Sequence, residues 1–313
     1  MRIYTHPACL QHDTGAGHPE SPARLRAVLE ALDDCRFADI ARSEAPRASN
    51  KQLLRVHDVQ YLARIFGEAP GIEAREIVSP SDILRLDPDT VMSPGSLEAA
   101  LRAAGAVCKA IDDIMDGMTR RAFCAVRPPG HHATRDTAMG FCIFNNVAVA
   151  ATHALEQHGL ERVAIIDFDV HHGNGTQDIF WNEPRVEYLS SHQMPLYPGT
   201  GSRNERGVGN IVNAPLPPGA DSHEFRAAWD EILLPALDAH RPQLLLISAG
   251  FDAHRNDPLA QLQLDTGDYA WITQRLCALA DTHAQGRVVS VLEGGYDLMA
   301  LRECTAAHVS SMM

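Results

Sequence analysis

Apolar residues recur along this chain with two distinct periods. In 21-SPARLRAVLEAL-32, Leu25, Val28, Leu29 and Leu32 fall three or four residues apart, the spacing of one helical face. Ser21 offers an N-cap and Pro22 suits the first turn, so the pattern predicts a helix closing near Asp34. A second helix is expected after Ser93-Pro94, where Leu97, Ala100, Leu101, Ala104, Val107, Cys108 and Ile111 continue the stripe to about Gly117. Thr266 is placed to cap a third, through Trp271, Ile272, Leu276 and Leu279. Between these segments the period collapses into short, almost wholly apolar runs: 122-AFCAV-126, 163-VAIIDF-168, 186-VEYLS-190, 243-QLLLIS-248 and 287-RVVSVL-292. Such runs read as buried parallel strands, and their alternation with helices predicts an α/β protein with helices on both faces of the sheet. No linker composition interrupts the order, so residues 1–313 are expected to form a single domain.

Each strand runs directly into a polar or glycine-rich sequence: RPPGHHA, DVHHGNGT, SHQMPLYPGTG, AGFDAHRNDP and EGGYD. Open parallel sheets bind ligands outside the carboxyl ends of their strands, so five such loops at five ends imply one shared site. Any one of them alone would be an ordinary glycine turn.

The loops carry side chains suited to metal and acid–base chemistry. In an extended strand, Asp167, Asp169 and His171 project to one face and Phe168, Val170 and His172 to the other. A carboxylate and an imidazole on one face make either a pair of metal ligands or a buried ion pair. Neighbours on a strand diverge, which disfavours His171 and His172 on one ion. Asp252, just beyond a strand of leucines, is the best third ligand, with a helix cap or turn as its alternative. Two carboxylates and an imidazole with open positions suit a hydrolytic zinc. His131 and His132 follow the rigid turn Arg127-Pro128-Pro129-Gly130 and are candidates for general base, general acid or electrostatic support. Tyr296, after Gly294-Gly295, offers a phenol to a developing oxyanion, or is simply a packed turn residue.

Composition narrows the class. The 16 histidines cluster beside glycines and carboxylates, whereas the seven cysteines are scattered without a CxxC pair, which argues against a disulfide framework or a thiolate zinc site. A net charge of −13 argues against nucleic acid as a direct partner and favours cationic ligands or basic protein tails. No apolar run reaches about 18 residues and the first residues lack a signal-peptide pattern, so a cytoplasmic, non-membrane protein is expected.

Taken together, RPPGHHA, DFDVHHGNGTQ, YPGTGS, SAGFDAHRNDPL and EGGYD resemble the zinc-dependent histone deacetylase family, which includes bacterial deacetylase-like amidohydrolases and acetylpolyamine amidohydrolases. The likeness runs from 18-HPESPARL-25 to the last helix. It implies the arginase/deacetylase fold, a central sheet of about eight parallel strands flanked by helices, with Asp169, His171 and Asp252 as zinc ligands. It further implies His132 as general base, His131 as mainly electrostatic, and Tyr296 on the scissile carbonyl. By the same matching Asp167 orients His131 and Asn174 supports His132; asparagine at that position resembles class II enzymes, where class I has aspartate. Phe141, after Gly140, and Tyr197 would wall a tunnel for an acyl-lysine. Leu259 occupies a rim position that is acidic in polyamine-specific relatives, and Asp89 would hold the substrate backbone. Arg24 would line an internal acetate-exit channel, with a plain surface-helix arginine as the alternative. A structural potassium would take the side chain of Asp167, main-chain oxygens of Asp169 and His171, and the Ser190-Ser191 turn.

The expected reaction is therefore zinc-dependent hydrolysis of an acyl-lysine amide, with acetylpolyamine hydrolysis as the alternative. A binuclear manganese ureohydrolase of the arginase kind would need carboxylates where this chain has Gly173 and His254. A catalytically silent acyl-lysine binding module is the remaining class, and it would keep the fold without needing every catalytic side chain. Oligomeric state is not legible.

Overall fold

The computed structural model describes residues 1–73 and 83–313. Its strands are β1 (Arg2–Thr5), β2 (Ala41–Glu44), β3 (Leu84–Arg85), β4 (Val91–Met92), β5 (Arg121–Cys124), β6 (Val163–Asp167), β7 (Val186–Gln193), β8 (Ile211–Leu216), β9 (Leu244–Ala249) and β10 (Val288–Leu292). Its helices are α1 (Pro22–Leu32), α2 (Asn50–Leu53), α3 (Val59–Glu73), α4 (Ser96–Met115), α5 (Asn146–His158), α6 (Asn174–Phe180), α7 (Ser222–Ala228), α8 (Leu234–His240), α9 (Thr266–His283) and α10 (Leu298–Met312). Eight strands form one parallel sheet in the order β2-β1-β5-β10-β9-β6-β7-β8, while β3 and β4 make a small antiparallel hairpin.

Strand alternation explains why both faces are covered. Phe123 on β5 packs edge-on to His308 of α10. Its neighbour Cys124 is in register with Tyr4 of β1, whose hydroxyl donates to Asp113 of α4 at 2.5 Å. One face therefore meets α10, and the other meets α4. Every residue of β6, β9 and β10 is buried, as their apolar sequences require. No described helix is long and apolar enough to cross a membrane.

All five predicted strands and all three predicted helices are present, with different caps. Ser21 occupies the N-cap of α1, but its side chain makes no capping hydrogen bond. Asp265, not Thr266, caps α9, exchanging bonds reciprocally with Asp268. A carboxylate at this position also complements the helix dipole. Ser190 and Ser191 lie inside β7 and not in a turn, because that strand continues to Gln193 alongside β8.

β7 also holds a group whose charge opposes folding. Glu187 is 8% exposed, and its Oε2 has no hydrogen-bond partner among the described residues. Burial pushes its carboxyl up to about 8. A folded-state value above the unfolded one stabilises the fold in full below 4.5, and this contribution is lost as pH climbs through about 8. Glu187→Gln is expected to remove that loss. In urea titrations the variant should exceed the parent by about 1–3 kcal/mol near pH 9, with the two curves converging toward pH 5.

Candidate active site

Strands β5, β10, β9, β6 and β7 are consecutive in space although not in sequence, so the five polar loops leave the sheet side by side. β6 ends at Asp167, and the next residues form a bend whose amides are taken by carboxylates. Asp169 N–H donates to Asp167 Oδ1 (3.2 Å), Val170 N–H to Asp252 Oδ1 (2.9 Å) and His171 N–H to Asp169 Oδ1 (2.9 Å). Phe168 and Val170 go into the core, while Asp167, Asp169 and His171 share the other side, as strand alternation predicts even though the strand has stopped.

Asp169, His171 and Asp252 come together with their ligand atoms within 4.8 Å of one another. His171 Nδ1 lies 3.2 Å from Asp169 Oδ1 and 3.2 Å from Asp252 Oδ2. Ligands at about 2.0 Å from a tetrahedral zinc are spaced about 3.3 Å apart, so the donor set and its spacing both fit that ion. Two buried carboxylates side by side also need a cation. Burial and the charge of Asp169 push Asp252 up to about 7, and His171 only partly offsets them. The close approach depends on glycines. A Cβ on Gly294 would sit 2.0 Å from Asp252 Oδ2, and one on Gly250 would sit 2.1 Å from Asp169 Oδ2.

The rings of the tandem histidines are tilted at 46° with centroids 4.0 Å apart, but they have different partners. His131 Nδ1 bonds Asp167 Oδ2 (3.0 Å), an oxygen that also accepts from the Tyr188 hydroxyl (3.0 Å). His132 Nδ1 donates to the amide oxygen of Asn174 (2.8 Å), at the start of α6, which leaves Nε2 with its lone pair. Burial opposes protonation of both rings. For His131 the charges of Asp167 and Asp169 prevail and hold it up to about 10, whereas His132, facing His131 and His171, is held well below the usual imidazole range.

Above these groups opens a cavity of about 380 Å³ lined by Phe141, Tyr197 and Tyr296, with Leu259 and Asp89 also on its wall. Tyr197 packs edge-on to His132 at 5.1 Å, and Phe141 packs likewise on Tyr296 at 5.9 Å. Gly140 has φ +55°, and a Cβ there would meet the His132 ring at 2.4 Å. Glycine is thus required before Phe141. Tyr296 is held by its amide, which donates to Asp257 Oδ2 (2.7 Å), and by Arg24, whose guanidinium lies 4.7 Å from the ring centroid. Burial and the nearby carboxylates Asp252 and Asp169, opposed by Arg24, keep its phenol protonated well above the usual range.

Glu293 and His18 are supporting residues to which the sequence reading gave no role. Glu293 accepts from the amides of Gly130 (2.6 Å) and His131 (3.2 Å), fixing the RPPGHHA turn. Its place at the end of β10, in EGGYD, was the available signal. Arg24 is not a surface arginine: it is fully buried, bonding Glu20 (3.0 Å) and the main-chain oxygen of Gly295 (2.6 Å). His18 also lines the cavity and packs on Phe141 at 4.8 Å. Around Asp167, Ser190 Oγ bonds His192 Nδ1 (2.9 Å), while Ser191, on the opposite face of β7, accepts from Trp229 (3.1 Å). Gly173 has no room for a carboxylate, because a Cβ would fall 2.3 Å from Asp167 Oδ2, and His254 accepts from the Asn256 amide (3.2 Å).

Comparison with known proteins agrees with this geometry. The family model "Histone deacetylase domain" matches residues 18–312. An uncharacterized protein of Synechocystis, slr0245, is 42% identical over 97% of this chain and 96% of its own length. The histone deacetylase-like amidohydrolase of Pseudomonas aeruginosa is 40% identical over 97% of this chain and 79% of its own length. The crystal structure of the HDA15 HD domain superposes with a TM-score of 0.91 at 32% identity, covering all of this chain and 90% of that one, so the sheet is that of the arginase/deacetylase fold. On matches of this extent, the chain belongs to the histone deacetylase domain family.

Proposed function

We propose that residues 1–313 form one catalytic domain that hydrolyses the acyl amide of acetyl-lysine in peptides or proteins, with one zinc held by Asp169, His171 and Asp252. The observation that carries this reading is the convergence of Asp169, His171 and Asp252, with their ligand atoms within 4.8 Å of one another, beside a cavity walled by Phe141, Tyr197 and Tyr296. Zinc held there would supply Lewis acidity toward the acyl carbonyl and the attacking water. His132 Nε2 takes the proton of the attacking water, with Asn174 fixing the tautomer through Nδ1. His131, held by Asp167, supplies positive charge beside the reacting centre. Tyr296 donates its O–H to the acyl oxygen as negative charge develops. The two aromatic walls suit the methylene stem of a lysine, and Asp89 at the rim suits the substrate's backbone amides. A potassium ion is proposed beside Asp167, with main-chain oxygens of Asp169 and His171 and the Ser190–Ser191 segment of β7 as its further ligands.

Acetylpolyamines are the second reading, because their single amide fits the same cavity. Leu259 on the wall weighs against them, since it offers no charge to the polyamine's free ammonium. Measured side by side, kcat/KM is expected to favour an acetyl-lysine peptide over N-acetylputrescine by about tenfold or more. Leu259→Glu should raise the acetylputrescine value by about three- to tenfold. A parent that prefers acetylputrescine would overturn the peptide assignment in favour of the polyamine one.

A further inference from the structure

A second cavity, of about 450 Å³, lies apart from this site and has the opposite electrostatic character to the chain as a whole. Lys51 of α2 and Arg55 just after it, Arg135 and Arg185 line it from three separate segments, in a protein of net charge −13. Arg185 is engaged by Glu183 (2.7 Å) and Glu156 (3.3 Å), the two carboxylates of the lining. Among the described residues the other three cations have no carboxylate partner. Arg135 donates to the main-chain oxygens of Ile179 (2.7 Å) and Val56 (3.4 Å), and Lys51 makes no hydrogen bond or ion pair.

Arg55 is held in place by a relay of hydrogen bonds through His153 to Asp112. Its guanidinium lies 3.0 Å from His153 Nδ1, and because arginine only donates, that nitrogen must accept. His153 therefore carries its proton on Nε2 and gives it to Asp112 Oδ1 at 2.7 Å, an oxygen that also takes His158 Nε2 at 2.7 Å. The same tautomer argues against a metal at Asp112, His153 and His158, since ligation through Nε2 would turn an Nδ1–H toward Arg55. The buried imidazole instead fixes the guanidinium at the cavity without neutralising it.

We propose that this cavity is a binding site for a small, multiply charged phosphate anion, free or carried on an organic molecule. Guanidinium forks match phosphate oxygens in pairs, and an ammonium adds a point charge. The lining stays net positive after Arg185 has neutralised its share of the carboxylates. Of the lining, Arg135 lies on the loop that follows His132, and Ile179 and Phe180 lie at the end of α6, whose first residue is Asn174, so the two cavities use different side chains of the same elements.

Calorimetric titration of the full chain with pyrophosphate, at an ionic strength of about 20 mM, is expected to show one saturable site with Kd of about 10–500 µM, weakening steeply with added salt. Lys51→Glu, exposed and unbonded, should weaken it about tenfold or more at unchanged peptide hydrolysis, and Arg55→Gln likewise. Glu183→Gln, which releases Arg185, should tighten it. ADP binding as well as or better than pyrophosphate would place the phosphates on an organic carrier, still within the proposal. Binding that is equal in the parent, Lys51→Glu and Arg55→Gln chains would overturn it, as would no heat up to about 10 mM pyrophosphate. Citrate bound as tightly as pyrophosphate would overturn the phosphate assignment.

Discussion

Asp252→Asn is expected to lower zinc content from about one per chain to well below that, and acetyl-lysine hydrolysis by about 10³-fold or more, while the fold persists. The two oxygens of Asp252 have separate roles, which makes this substitution informative. Oδ1 accepts the Val170 N–H, a bond that an asparagine oxygen retains. Oδ2 faces His171 Nδ1 at 3.2 Å, and its replacement by an NH₂ group turns a ligand into a donor. Removal of metal separates the proposal from a simple loss of structure. Without zinc, the parent buries Asp252 beside Asp169 with only His171 and His131 to offset the charge, whereas the variant has removed one of the two carboxylates. The chelated variant should therefore melt no lower than the chelated parent. Adding zinc back should raise the Tm of the parent and leave that of the variant nearly unchanged. Thermal melts with and without a chelator, read beside metal analysis, check each arm. Full zinc retention by Asp252→Asn would sink the ligand assignment.

Tyr296→Phe is expected to reduce kcat by about 10²–10³-fold with zinc content unaltered and KM changed only slightly. No described protein group hydrogen-bonds its phenol oxygen, so deleting that atom breaks nothing in the resting protein. The ring is placed by other means: the Asp257 bond to its amide, Arg24 on one side and Phe141 on the other. Those contacts persist in phenylalanine. A loss confined to kcat is the signature of an interaction made only as charge develops on the substrate, and a wholly KM-borne loss would instead make Tyr296 a binding wall. Steady-state kinetics on one acetyl-lysine peptide distinguishes the two.

How much of this was legible beforehand depended on whether a side chain's partner was local. β6, β9 and β10 are buried on both faces, so their sequences are almost unbroken apolar runs. β2, the ARSE segment at the sheet edge, is largely exposed and carries no such signal, and β8 contains Asn213 and Pro215. The bringing together of Asp169 and His171 followed from alternation over two residues. The pairing of Arg127 with Glu20, buried at zero exposure and joined by two bonds across 107 residues, had no local trace. The serine turn was misplaced for a similar reason: β7 outruns its apolar stretch because β8 supplies hydrogen-bond partners as far as Gln193. Glu293 sat in a quoted motif, yet its function, holding the turn before His131, belongs to tertiary structure.

The sheet order also constrains how the protein is made. β5 and β6 are separated in the sheet by β10 and β9, which lie 120 or more residues further along than β5. A chain growing from its N-terminus thus carries β5 and β6 for a long stretch of synthesis with the two central places between them unfilled. Their inner edges stay unpaired until residues 244–292 arrive, and pairing at such sequence separation carries a large loop-closure cost. Asp252 and Tyr296 arrive with those last strands, so the nascent chain acquires its chemistry only when its aggregation-prone edges are closed.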